Sequence, residues 1–136
     1  MASTSTYQRD AELSVYKNTA SPALANVYVA LYDGDPGRLG TGGTEVTTSV
    51  RPGGRVAIAA ADWSAILASG SDRYIETTAL VDFGFCNSAV NVDHVGLWDA
   101  ASGGNFLEGT ALASAIAVGA GDPFYFAIGA IKIKRP

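Results

Sequence analysis

From residue 26 onward the apolar residues fall into short runs, most alternating with polar ones, and each run stops at glycine, proline, asparagine or aspartate. Alternation with a period of two puts every second side chain on one face of an extended strand. The stops are turn formers, so the pattern predicts strands joined by turns about every 10 residues. Val27-Tyr28-Val29-Ala30-Leu31-Tyr32 is β-branched and aromatic and ends at Asp33-Gly34-Asp35-Pro36-Gly37, from which a glycine-rich loop runs on to residue 43. Further strands are predicted over residues 45–50, 55–59, 74–78, 80–86, 92–98, 105–112 and 115–118, with a polar loop at 69–73. Residues 124–133 give two strands or one bent at Gly129. About seven to nine antiparallel strands, with no long helical pattern between them, describe an all-β sandwich or jelly roll over residues 21–136. Residues 1–20 read as an N-terminal arm or short helix. Ser5-Thr6-Tyr7-Gln8 has the Ser-x-x-Gln spacing of a capping box, and Tyr7, Ala11 and Val15 are spaced to dock one helical face.

Composition changes the picture in one respect. With 136 residues there is room for one ordinary domain, and 48% hydrophobic residues supply its core. Charged residues make up only 16%, against roughly 25% in soluble domains, so Gly, Ala, Ser and Thr must cover the surface. A weakly charged surface is easily desolvated, which suits a protein packed against others. The net charge of −4 and the scattered basic residues argue against nucleic-acid binding. No apolar run approaches the ~20 residues of a membrane span, and the polar start predicts no signal peptide, so a soluble protein made in the cytosol is expected. Cys86, in an apolar run, reads as a small buried residue rather than a reactive thiol.

Candidate chemistry adds little. His94 is the lone histidine, and no Gly-x-Ser-x-Gly elbow presents a serine to it. On a regular strand Asp93 and His94 point to opposite faces, which separates them as an orienter and base. One His and one distant Cys make no zinc set, and Asp33-Gly34-Asp35 is broken as a calcium loop by Pro36-Gly37. Neither metal nor cofactor is expected. Trp63 and Trp98 read as core or interface anchors; a sugar platform requires exposed, coplanar aromatics including Trp63 or Trp98. Residues 92–112 read as a β-hairpin: 92–98 and 105–112 meet across a turn in which Gly103 and Gly104 supply positive φ and Asp99 bonds the turn backbone. Val92, His94 and Trp98 then share one face, and Asp93, Val95 and Leu97 the other.

Three stretches carry a family resemblance. They are Tyr28-Val29-Ala30-Leu31-Tyr32 running into Asp35-Pro36-Gly37; Gly40-Thr41-Gly42-Gly43-Thr44-Glu45-Val46; and His94-Val95-Gly96-Leu97-Trp98-Asp99-Ala100-Ala101-Ser102-Gly103-Gly104-Asn105-Phe106-Leu107. In order and separation the chain resembles, over roughly residues 12–131, small tailed-bacteriophage virion proteins labelled tail fibre or minor structural proteins. It departs from them at Val50-Arg51-Pro52-Gly53-Gly54-Arg55, where such proteins carry an aromatic-Ala-Arg triplet. The resemblance implies a non-enzymatic virion component with a β-sandwich fold. A chain of one compact domain has no shaft, and its low charge suits docking in many copies on a shell. The favoured expectation is therefore a capsid decoration (cement) protein on the capsid surface, a small homo-oligomer bridging subunits of the major capsid protein. A tail, baseplate or tail-fibre-associated protein with tail partners is the alternative, and a carbohydrate-binding host-attachment module the second. The N-terminal arm and the loop at 34–43 are the expected contact elements, with Tyr7, Tyr16, Arg38, Arg51, Arg55 and His94 as interface candidates.

Overall fold

The computed structural model describes residues 3–18, 24, 26–51 and 53–136. The order along the chain is β1 (Ser3–Thr4), α1 (Thr6–Tyr16), β2 (Asn26–Asp33), β3 (Thr44–Glu45), β4 (Val56–Ala59), β5 (Leu67–Ser69), β6 (Asp72–Glu76), β7 (Val81–Phe85), β8 (Val90–Trp98), β9 (Phe106–Val118), β10 (Pro123–Phe126) and β11 (Lys132–Arg135). The fold is all-β in a single domain, as expected.

Strand β2 explains the layout. Both of its side-chain parities are apolar, so both faces must be covered. Val27, Val29 and Leu31 enter the main core, while Ala30 and Tyr32 enter a second cluster with Trp98 and Phe106 on the opposite face. In the principal sheet the strands run β1-β9-β8-β2-β3, with β4 also paired to β2. Every pairing is antiparallel. The facing layer consists of two small ladders, β10-β7 and β11-β6-β5, rather than one continuous sheet. The main core lies between the layers. Phe83, Phe124 and Phe126 of the small ladder pack edge to face at centroid distances of 5.7, 6.1 and 5.4 Å. They join Val29, Val92, Leu97 and Leu107 from the large sheet.

Most differences from the sequence-based strands are made by long-range contacts. The strand expected over 45–50 shrinks to β3: Val46 N still donates to Leu31 O at 2.8 Å, but the chain then bends, with Val46 and Val50 buried and Thr48 between them exposed. The loop expected at 69–73 is narrower: Ser69 ends β5 and Asp72 begins β6, and the two strands form a hairpin. β9 runs unbroken through residues expected to separate two strands. Gly129, with φ 79°, separates β10 from β11, which settles the last segment as two strands.

The N-terminal segment is stitched to the body. Ser5 Oγ caps α1 by accepting from Gln8 N at 3.0 Å. The reciprocal half of the capping box is absent, since Ser5 N donates to Leu107 O at 3.0 Å instead. Tyr7 packs against the core, whereas Val15 is 60% exposed, so the expected docking face covers the first turns only. Arg135 of β11 reaches Glu12 of α1 at 3.0 Å and Glu108 of β9 at 2.8 Å, tying three elements together. Residues 3–16 are thus part of the domain rather than an adaptable arm. Of the expected arm, residues 1–2 and 19–20 lie outside the described residues.

Candidate functional site

The three stretches that carry the family resemblance converge on the far face of β2. Tyr32 stands on that strand, Trp98 ends β8 and Phe106 begins β9, while the loop at 34–43 folds over all three. Trp98 and Phe106 stack edge to face at 5.2 Å. Gly96 lies beneath them because a Cβ there would sit 2.7 Å from Phe106 Cε1 and 2.8 Å from Tyr32 Cε2. Trp98 Nε1 donates to Tyr32 Oη at 3.0 Å, and Tyr32 Oη in turn donates to Gly40 O at 3.3 Å. Trp98 is only 8% exposed and Trp63 is half-buried against the main core, so the pair makes no exposed sugar platform.

Burial pushes the Tyr32 phenol up to about 12, because the neutral form alone is tolerated beneath the loop. The unfolded phenol ionises near 10.0. Stability from this group is therefore complete below pH 10 and is lost as pH rises towards 12, by up to about 2–3 kcal/mol. Tyr32→Phe is expected to be less stable than wild type at neutral pH, through the lost bonds, and to lose stability less steeply across that window. Urea unfolding followed against pH reads both effects.

Arg55 closes the cluster. Its Nε and Nη2 grip Glu45 at 2.8 and 3.0 Å, a bidentate pair. Its Nη1 donates to the carbonyls of Ala100 and Gly103 at 2.8 and 3.0 Å. The guanidinium carbon stands 4.1 Å from the centroid of the Trp98 ring. With its side chain 6% exposed, Arg55 faces inward, which corrects its reading as an interface residue. Four of the five guanidinium N–H groups are engaged inside the fold, which leaves little of the charge to a partner.

The hairpin turn is built as its sequence implies. Asp99 Oδ1 accepts from Asn105 N at 2.6 Å and Oδ2 from Asn105 Nδ2 at 2.9 Å. Gly103 and Gly104 have φ of 61° and 77°. A Cβ on Gly104 would lie 2.5 Å from Asp99 Oδ1. The second loop is equally self-contained: Asp35 Oδ1 accepts from Gly37 N at 2.8 Å, Pro36 is fully buried, and Gly42 N donates to Pro36 O at 3.0 Å. The loop at 34–43, expected to adapt to a partner, is instead packed as the lid of the aromatic cluster. Arg38 and Leu39 alone carry long side chains outward from its middle, Leu39 being 65% exposed.

Asp93 and His94 do meet, against expectation. His94 Nδ1 lies 2.8 Å from Asp93 Oδ1. The reason is a bulge: between Val92 and His94 the partner on β9 jumps from Ile116 to Ala111. Strict alternation fails there, so Val92 joins Val95 and Leu97 in the main core and does not share a face with Trp98. The contact with His94, and then the Gly34 N–H at 2.7 Å, hold the Asp93 carboxyl below its ordinary value. Since the Gly34 bond ties β8 to the loop after β2, the pair has a visible structural role. Among the described residues no hydroxyl or thiol hydrogen-bonds the imidazole, and no three His, Cys, Asp or Glu side chains group as a metal site. Tyr16 and Arg51 are exposed, far from one another in sequence and on different elements, and Tyr7 is half-buried. Cys86 is buried, its Sγ within 2.7 Å of Ser88 O.

What the arrangement builds is a rigid end of the sheet, with a buried aromatic cluster beneath and Arg38, Leu39 and the turn at 99–105 above. Sequence reasoning passed over Tyr32, Gly40 and Phe106 as members of this cluster. The apolar residues on both parities of residues 28–32 were the available signal that a second buried face had to exist. No curated protein matches the chain. A family model described as Podophage GP4 fiber I protein gp80 matches residues 3–134, almost the full length. The chain therefore belongs to that podophage fibre family and is a bacteriophage structural protein.

Proposed function

We propose that the protein is a non-enzymatic structural component of the tail-fibre apparatus, seated by protein–protein contact. The observation that carries this is the family match over residues 3–134. It favours the tail-fibre alternative over capsid decoration, which rested on the missing shaft and the low charge. Low charge density suits docking on shell and tail alike, and so does not discriminate between them. A compact all-β domain fits a fibre joint or collar, where a rigid body meets neighbours. The carbohydrate reading is weaker, because Trp98 is buried beneath the loop. The end of the sheet bearing Arg38, Leu39 and the turn at 99–105 is the contact surface in this reading. Its backbone is fixed by Arg55 and Asp99, so little order has to be gained on binding.

Copy number tests the reading. Quantitative mass spectrometry of purified virions is expected to give a ratio to the major capsid protein typical of tail components. A ratio approaching one copy per capsid subunit would overturn the fibre assignment and restore the cement reading.

A further inference from the structure

The long hairpin strand has an open edge. On its inner side β9 pairs with β8, but on its outer side β1 registers only with Gly109 and Glu108. From residue 110 to 118 the outer edge has no strand partner among the described residues. The ladder to β8 also passes from Val92↔Ile116 to His94↔Ala111, so residues 112–115 have no register partner on that side either. Ala111, Ala113, Ser114, Ala115 and Ala117 are exposed, as is Ile116 at 42%. Exposed strand edges are ordinarily guarded by charge or proline. Here no charged residue and no proline falls between Glu108 and Asp122, and the bulge opposite Asp93 is the sole blunting feature on this stretch.

The sequence of the edge says what covers it. Thr110-Ala111-Leu112-Ala113-Ser114-Ala115-Ile116-Ala117-Val118 reads alike in both directions. About Ser114, Ala113 answers Ala115, Leu112 answers Ile116, Ala111 answers Ala117, and Thr110 answers its isostere Val118. An antiparallel pair made by two copies of this strand, with a two-fold axis at Ser114, sets each side chain opposite one of its own size. That is the self-complementarity an isologous contact requires. A chain of net charge −4 also meets its copy there with no like charges opposed. We propose that this edge joins two copies of the protein by antiparallel strand addition centred on Ser114. The contact holds wherever in the virion the protein resides, so it stands or falls separately from the fibre assignment.

The register makes the test specific. Directly opposed residues in an antiparallel pair have Cα atoms about 4.5–5.5 Å apart, inside the range a disulfide spans. In the full chain, Ser114→Cys is expected to double in mass on a non-reducing gel after mild oxidation, with wild type reporting any contribution from Cys86. Ala111→Cys is expected to stay monomeric on the gel, because its own copy lies roughly 20 Å away along the pair. The double variant Ala111→Cys/Ala117→Cys is expected to cross-link again. Light scattering on Ala115→Pro, which takes one backbone N–H out of the segment and restricts its φ beside the two-fold axis, is expected to read half the wild-type mass. A Ser114→Cys protein that stays monomeric, or an Ala111→Cys protein that cross-links equally well, overturns the proposal.

Discussion

Replacing Arg55 by alanine is expected to lower the folding stability by about 3–5 kcal/mol, the cost of removing one partner from a buried ion pair. Three losses coincide. Glu45 keeps a carboxylate whose side chain is 20% exposed, with its guanidinium partner gone. The carbonyls of Ala100 and Gly103 lose their donor, and Trp98 loses the cation above its ring. For a domain of this size the melting temperature falls by roughly 10–20 °C, which calorimetry reads directly. Arg55→Lys should recover less than half, since an ammonium retains the charge but not the fork that holds Glu45 while reaching two carbonyls. Lys132→Ala is the contrast. It also breaks a salt bridge, to Glu76 at 3.3 Å, but the lysine side chain is 44% exposed, so the expected cost is about 0–1 kcal/mol. Equal losses in the two variants would mean that Arg55 is not the clamp its geometry describes.

The contrast shows which parts of this fold were legible beforehand. Strands β2, β4 and most of β8 follow from alternation and β-branched residues, because a strand's two faces are written into neighbouring positions. The Asp99 turn was legible for the same reason: acceptor, glycines and Asn105 all lie within one loop. The pairing of Asp93 with His94 was not, because it depends on β9 carrying more residues than β8 between two register points. Strand length mismatch is a property of the pair and leaves no mark on either strand alone. Arg55 is intermediate. An arginine directly after Gly53-Gly54, in a weakly charged chain, marks a special position, but nothing local tells an inward guanidinium from an outward one. What decides it is that β3 and β4 both pair with β2, which brings Glu45 back alongside Arg55. Head and tail could not be separated from composition, since a weakly charged surface serves any assembly. The family match is what favours the fibre over the shell.

Trp98→Ala is expected to cost about 3–5 kcal/mol, comparable to Arg55→Ala but by a different route. The indole fills the space between Phe106, Tyr32 and the loop at Gly40, and a Cβ on Gly40 would itself lie 2.7 Å from Trp98 Cζ2, so the site is already tight. Deleting the ring leaves a cavity bounded by a loop whose conformation Asp35 and Pro36 fix, which limits collapse. It also removes the donor to Tyr32 Oη. Trp98→Phe separates the two terms: it keeps an edge-to-face partner for Phe106 and loses the N–H, with an expected cost of about 1–2 kcal/mol. Because Arg55 and Trp98 are in contact, Trp98→Ala and Arg55→Ala should not add. The double variant is expected to be more stable than the sum of the singles implies, by at least about 0.5 kcal/mol. Strict additivity in chemical denaturation would show that the guanidinium and the indole act separately. The turn at 99–105 would then be held from one side only, and the end of the sheet that bears the proposed contact surface would lose its common support.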